Sequence, residues 1–177
     1  VRLRRLQEAN GSIRKTQLLR EFQDDANFRN FLYYALNPML TYKISEQTLR
    51  SPTRYDSAIT LTMTDIFSVC ELLSKRKALD AGTVYQVCAF VQSSPPDEAD
   101  VYIKLLSKTL RLGVTAKTVN KVIPNLIPEW EVQQAYPIDK YPLKEGTEFW
   151  LTQKLNGVRA TYYKGRLYAR SGVPYEG

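Results

Sequence analysis

Apolar residues return every three to four positions from residue 1 to about residue 123, and every second position in a stretch beginning near residue 149. The first pattern predicts helices with one buried face, the second a half-buried strand. Asn10-Gly11 ends a short first helix, and Ser12 stands where the next would take its N-cap. Asp25 caps a third, in which Phe28, Phe31, Leu32, Ala35 and Leu36 fall on one stripe before Pro38 stops it. Thr64 precedes a stripe of Ile66, Phe67, Cys70 and Leu73, and Val84, Val87, Cys88 and Val91 form another. The run S-S-P-P-D-E-A-D at 93–100 reads as a loop with an acidic helix start at its end. The helix after it carries Val101, Leu105, Leu106 and Leu110. A last one begins near Thr115 and holds Val119, Val122 and Ile123 before Pro124. These stripes are the expected core.

The character changes after Pro128. Pro137 and Pro142 punctuate an irregular stretch, then Phe149, Leu151, Gln153 and Leu155 alternate with Trp150, Thr152 and Lys154. Asn156-Gly157 predicts a hairpin. V-R-A-T-Y-Y follows as a second strand, Lys164-Gly165 as a second turn, and R-L-Y-A-R as a third strand. Three short strands are marginal on their own in water. The expected class is therefore multidomain, α followed by α+β: an all-helical domain over 1–132, then 133–177 as the truncated opening of an antiparallel, sheet-building domain.

Composition narrows the chemistry. The 177 residues are 44% hydrophobic and 24% charged, a globular balance. Lys and Arg number 25 against 18 acidic residues, a formal charge of +7, which favours polyanionic partners. No apolar run approaches the ~20 residues a bilayer requires. V-R-L-R-R-L-Q-E has no apolar stretch after it, so no secretory signal is expected and the chain reads as intracellular, in the cytoplasm. Cys70 and Cys88 sit inside apolar helical patterns and read as small core residues in a reducing compartment. Histidine is absent, which removes Ser-His-Asp, Cys-His and His-ligated zinc chemistry together. Lys, Arg, carboxylates, Tyr or a bound metal remain.

Two strings carry candidate chemistry. In K-L-N-G-V-R at 154–159, Lys154 precedes a tight Gly turn and Arg159 follows across it. A lysine nucleophile needs a deprotonated amine, which neighbouring cations favour, and Arg159 and a nucleotide-bound metal could supply that field. Taken alone, the string reads as a hairpin with solvent-exposed charges rather than as a nucleophile site. The second string, L-Y-A-R-S-G at 167–172, places Arg170 eleven residues after Arg159.

A third candidate lies in the helical part. No acidic residue occurs between Asp100 and Glu129, whereas Lys104, Lys108, Arg111, Lys117 and Lys121 do. Helical spacing would put Lys104, Lys108 and Arg111 on one face. Gly113 breaks the helix and, with Val114, permits close approach to a minor groove, and Thr115 offers a hydroxyl and N–H groups at a new helix start. Composition by itself leaves a solvated face as the equal alternative. Arg2, Arg4, Arg5, Arg14 and Lys15 are expected to decorate exposed helix faces.

Together these strings resemble a known family, the ATP-dependent DNA ligases among the covalent nucleotidyltransferases. Their adenylation motif is K-x-D-G-x-R, followed on a neighbouring strand by an R-S-G-like segment, and K-L-N-G-V-R and A-R-S-G stand here in that order. T-L-R-L-G-V-T-A-K-T-V-N-K-V-I-P at 109–124 resembles an L-R-(I/L)-G-(V/L) segment of their helical DNA-binding domain. D-I-F at 65–67 and F-L-Y-Y-A-L-N-P at 31–38 are similar to phage-type and bacterial members.

The resemblance implies that 1–132 is a helical DNA-binding domain and 133–177 the N-terminal part of an adenylation domain. It implies Lys154 as the nucleophile that forms lysyl-AMP, Arg159 on the nucleotide, and Arg170 near the ribose and the 5′-phosphate end. Thr152, Gln153 and Leu155 join the ATP/AMP-binding set, with Thr152 where Glu is frequent. Lys104, Lys108, Arg111, Gly113, Val114, Thr115, Lys117 and Lys121 form the DNA-binding set. Asn156 in place of Asp and Thr152 in place of Glu are departures that bear on base selectivity. The implied substrates are ATP and nicked double-stranded DNA, bound by a monomer without regard to sequence. Mg2+ is implied as cofactor, with its ligands expected beyond residue 177 and no metal site within the chain. The chain is expected to bind DNA without ligating it. Two other readings stay open: an RNA ligase or capping-type guanylyltransferase sharing the lysine motif, and a non-catalytic helical nucleic-acid-binding protein.

Overall fold

The computed structural model describes residues 2–51, 63, 65–130, 132, 136–150, 152–153, 156–170 and 172–175. Two compact units divide at Glu129/Trp130.

In the first unit the described residues form α1 (Arg2–Glu8), α2 (Ser12–Glu21), α3 (Ala26–Leu36), α4 (Glu46–Arg50), α5 (Ile66–Lys75), α6 (Ala81–Ser93), α7 (Pro96–Leu106) and α8 (Ala116–Asn120). Side-chain caps set most of the starts. Asp25 accepts from Phe28 N, Asp65 from Phe67 N and Ser68 N, Asp80 from Thr83 N, Ser45 from Thr48 N and Thr115 from Thr118 N. Each satisfies an N–H that the first helical turn leaves without a partner.

Three local expectations are corrected. Ser12 is the first residue of α2 rather than its cap. The chain reverses within a few residues after α1, so the cap position takes φ 81, which Gly11 adopts without a Cβ penalty. The 93–100 loop is shorter than read, because α7 already begins at Pro96. A proline at the first helical position lacks only an N–H that would be unbonded anyway, and Pro95 before it is extended. At its other end α7 stops at Leu106, and Lys108 adopts a left-handed φ of 58. Leu110 and Arg111 therefore lie outside that helix.

Two hydrophobic clusters are packed on either side of α3. Phe28 and Leu32 enter one with Leu6, Leu18, Leu19, Phe22, Leu112, Val119, Ile123 and Ile127. Phe31 and Tyr34 pack against the other, built from Tyr42, Leu49, Ile66, Val69, Cys70, Leu73, Val87, Cys88, Val91, Leu105 and Leu106. Ala35 and Leu110 touch both. The stripe on α3 is wide enough to serve two cores, and the chain after α7 crosses from one to the other at Leu110. Both cysteines are buried and neither is in a disulfide, in line with the apolar pattern around them.

The second unit holds a two-stranded antiparallel hairpin, β1 (Ala160–Tyr163) and β2 (Arg166–Ala169), paired Ala160 with Ala169 and Tyr163 with Arg166. Lys164 (φ 47) and Gly165 (φ 80) make the tight turn, both with the positive φ that such a two-residue loop demands. The alternation around Phe149 forms no strand among the described residues: 147–150 and 152–153 are irregular and exposed. Likewise Asn156-Gly157 joins no pair of strands there. A strand's hydrogen bonds come from its neighbour, and no described residue is paired with this segment, so period two alone does not make one. Trp130 packs on the hairpin, its ring 4.8 Å from Tyr168 and 6.3 Å from Tyr163.

Candidate functional site

The cations from Lys104 to Lys121 divide into two with partners in the fold and three that stand exposed beyond α7. Lys104 pairs with Asp100, which also takes Arg50. Those two hydrogen bonds, from Lys104 first and then Arg50, hold the Asp100 carboxyl below its ordinary range. Lys108 turns inward: its ammonium donates to Tyr34 O and Asn37 O, each at 2.9 Å, and lies 5.0 Å from the centre of the Tyr42 ring. Burial lowers its pKa to about 8. The shared helical face of Lys104, Lys108 and Arg111 does not exist, because the left-handed turn at Lys108 ends the helix register.

Beyond that turn the segment is built for exposure. Leu112, 2% exposed, anchors it in the cluster of Leu6, Leu18 and Phe28, and half-buried Val114 packs against the same cluster. Between and around these anchors Arg111, Gly113, Thr115, Lys117 and Lys121 are all exposed. Gly113 takes φ +67, so the position calls for glycine. The backbone is braced from behind. Gln7 Nε2 donates to Arg111 O at 3.2 Å, and Lys15 Nζ donates to Leu112 O at 3.3 Å and Gly113 O at 3.1 Å. The N–H groups of Gly113, Val114 and Thr115 donate to no acceptor among the described residues. Exposed backbone donors flanked by Arg111, Lys117 and Lys121 suit phosphate oxygens.

The structure thus brings five of the eight DNA-binding candidates to one exposed stretch with Val114 behind it, and assigns Lys104 and Lys108 to internal partners. Sequence reasoning missed Gln7 and Lys15. Lys15 was expected on an exposed helix face, and with its partners 97 and 98 residues away no local spacing could reveal it.

In the second unit the hairpin register explains the spacing of eleven. Continuing the pairing Ala160–Ala169 outward by one position sets Arg159 opposite Arg170. Both line one open depression of roughly 610 Å3, with Val158, Ala169 and Tyr175. Tyr175 closes its end, its N–H donating to Leu167 O at 2.8 Å and its hydroxyl to Arg159 O at 3.4 Å. Two guanidinium-bearing residues at one end of a hairpin form a region able to receive phosphate charge. Thr152 and Gln153 are exposed in an irregular stretch. Lys154 and Leu155 lie outside the described residues.

Among the described residues no group of three Asp, Glu, Cys or His side chains could hold a metal ion. These residues do not fit a resident Mg2+. No helix among them is long and apolar enough to cross a membrane.

No protein-family model matches the chain. It is similar to the DNA ligase of Enterobacteria phage T4, with 26% identity over 127 residues, covering 66% of this chain and 26% of that protein. The DNA ligase of Enterobacteria phage T6 is similar to the same degree, 26% over 127 residues, with 66% and 26% covered. The chain spans about a quarter of the length of the curated relatives it matches. This likeness supports a relationship to DNA ligases.

Proposed function

We propose, on the premise of that relationship, that this chain belongs to an ATP-dependent DNA ligase, its first unit gripping duplex DNA and its second opening the adenylation domain. The observation that carries the reading is the likeness to the two phage DNA ligases. The exposed segment from Arg111 to Lys121 supports the DNA-gripping part, since it offers backbone donors and cations but no carboxylate. The meeting of Arg159 and Arg170 supports the nucleotide part.

The chemistry follows from the motif. The Lys154 amine attacks the α-phosphorus of ATP, the bond to pyrophosphate breaks, and a lysyl-AMP phosphoramidate forms. AMP then passes to the 5′-phosphate at a nick, and the 3′-hydroxyl displaces it to join the strand. Arg159 and Arg170 bear positive charge toward the phosphates, and Thr152, Gln153 and Leu155 belong to the nucleotide-contacting stretch. Mg2+ accompanies ATP as its charge-neutralising ion.

Two measurements test this. Fluorescence anisotropy of the chain with nicked duplexes of unrelated sequence should give similar affinities, all falling as salt rises. Labelled ATP and GTP, offered to the natural protein and followed by a peptide map, should leave AMP on Lys154. A covalent GMP would move the reading to a capping-type nucleotidyltransferase. No adduct together with no DNA binding would overturn it.

A further inference from the structure

We infer that Lys15 is a positioning residue for the DNA-facing loop, its ammonium drawing the carbonyls of Leu112 and Gly113 inward so that the following N–H groups face a backbone phosphate. The inference rests on the reading of 111–121 as a DNA interface.

The argument starts from the peptide plane. In a trans peptide the C=O of one residue and the N–H of the next point to opposite sides, and no peptide among the described residues is cis. Holding Leu112 O inward therefore turns Gly113 N–H outward, and holding Gly113 O inward turns Val114 N–H outward. Gln7 acts in the same sense on Arg111 O. Successive N–H groups exposed on one side of a left-handed turn make a concavity that favours anions. The Gly113 and Val114 N–H groups have no acceptor among the described residues.

Lys15 differs from Arg2, Arg4 and Arg5. Arg2 pairs with Asp25, Arg4 with Glu8 and Arg5 with Glu21. Lys15 is half-buried on α2 and, among the described residues, donates to the neutral carbonyls of Leu112 and Gly113 and pairs with no carboxylate. Gly113 is the other half of the device. A Cβ there would fall inside the van der Waals shell of Lys15 Nζ, so any larger residue displaces the ammonium. Lysine at 15 and glycine at 113 depend on each other across 98 residues.

The test compares K15M, which keeps the aliphatic stem, with K15R, which keeps a cationic donor, using the whole chain and a nicked duplex at fixed salt. K15M should still melt cooperatively, lower by roughly a few degrees at most because one of the two lost hydrogen bonds is exposed. It should nevertheless bind about fivefold to tenfold more weakly, the effect of losing charge-assisted hydrogen bonds that set a contact geometry. K15R should recover most of the affinity. The amide resonances of Gly113 and Val114 should shift on addition of DNA to the wild type and shift less at saturation in K15M. In the K15M background, G113A should weaken binding by a smaller factor than in the wild type, since no ammonium is left to displace. Unchanged affinity in K15M, K15R as weak as K15M, or Gly113 and Val114 amides that ignore DNA in the wild type would each overturn the role of Lys15. If R111A with K117A leaves binding intact as well, the interface reading has failed and the inference falls with it.

Discussion

The ammonium of Lys108 donates to the carbonyl oxygen of Asn37 at 2.9 Å, joining positions 71 residues apart. The same nitrogen takes Tyr34 O, so one side chain satisfies carbonyls at the C-terminal end of α3 that the helix leaves unpaired. The charge pattern assigns this residue to DNA, and the fold assigns it to the interior.

Lys108→Met should therefore destabilise the first unit by about 1–3 kcal/mol through loss of two charge-assisted hydrogen bonds, although Tyr34 O keeps the Tyr42 hydroxyl and Asn37 O the Leu40 N–H, with little change in DNA affinity. Urea unfolding and anisotropy on the same sample separate the two effects. A variant of full stability and impaired binding would contradict the assignment.

The same amine makes stability depend on pH. Its folded pKa lies at about 8 because burial disfavours the charged form, against about 10.4 in an unfolded chain. Below the first value both states hold the proton, and above the second neither does. Between them only the unfolded chain holds it, so unfolding takes up a proton and stability rises with pH. Burial raises Tyr42 and pushes Cys70 up to about 12, so both keep their protons in the folded state across this window while the unfolded chain loses them. That opposing contribution is common to wild type and variant and cancels in their difference. Melting temperatures of wild type and Lys108→Met should diverge in favour of the wild type from pH 8 to 10. A constant difference would refute this.

Asp80 gives the opposite dependence at acid pH. Hydrogen bonds from the Thr83 hydroxyl and Thr83 N–H, with the Arg76 charge, lower its carboxyl to about 2. Its contribution to stability is present above the unfolded value of about 3.9 and is lost as pH falls toward 2. Asp80→Ala, which removes the cap of α6, should lower the melting temperature by roughly a few degrees at pH 7. That gap should close between pH 4 and 2, as circular dichroism melts would record.

At the proposed interface, Arg111→Ala and Lys117→Ala should weaken binding to every duplex sequence alike. Each lost phosphate contact should flatten the slope of log affinity against log salt by about 0.9. Anisotropy titrations at four salt concentrations measure it, and parallel lines for wild type and the double variant would remove both residues from the contact set.

In the second unit, Gly172 adopts φ +86 with Trp130 Cβ and Cγ 2.7 Å from where its own Cβ would stand. Gly172→Ala combines left-handed strain with a clash against a packed ring, which costs roughly 1–3 kcal/mol. A red-shifted tryptophan emission should accompany it as Trp130 leaves the hairpin, and an unaltered spectrum and melt would disprove the packing.

The helices were legible because periodicity and capping are interactions between residues three or four apart: Asp25 on Phe28 N, the stripe of α3, the Lys164-Gly165 turn. The eleven-residue spacing of Arg159 and Arg170 was legible for the same reason, since one tight turn fixes a local register. The sequence alone thus determined which faces are apolar and where several of the helices and the β1–β2 turn begin. Tertiary structure decided which cations face inward. Lys108 and Lys15 look like solvated charges beside their neighbours, and only acceptors 71 to 98 residues away distinguish them. It also decided that α3 divides two cores and that the alternation at Phe149 forms no strand among the described residues. A strand exists through its partner, and a buried lysine through the carbonyls that the fold brings to it.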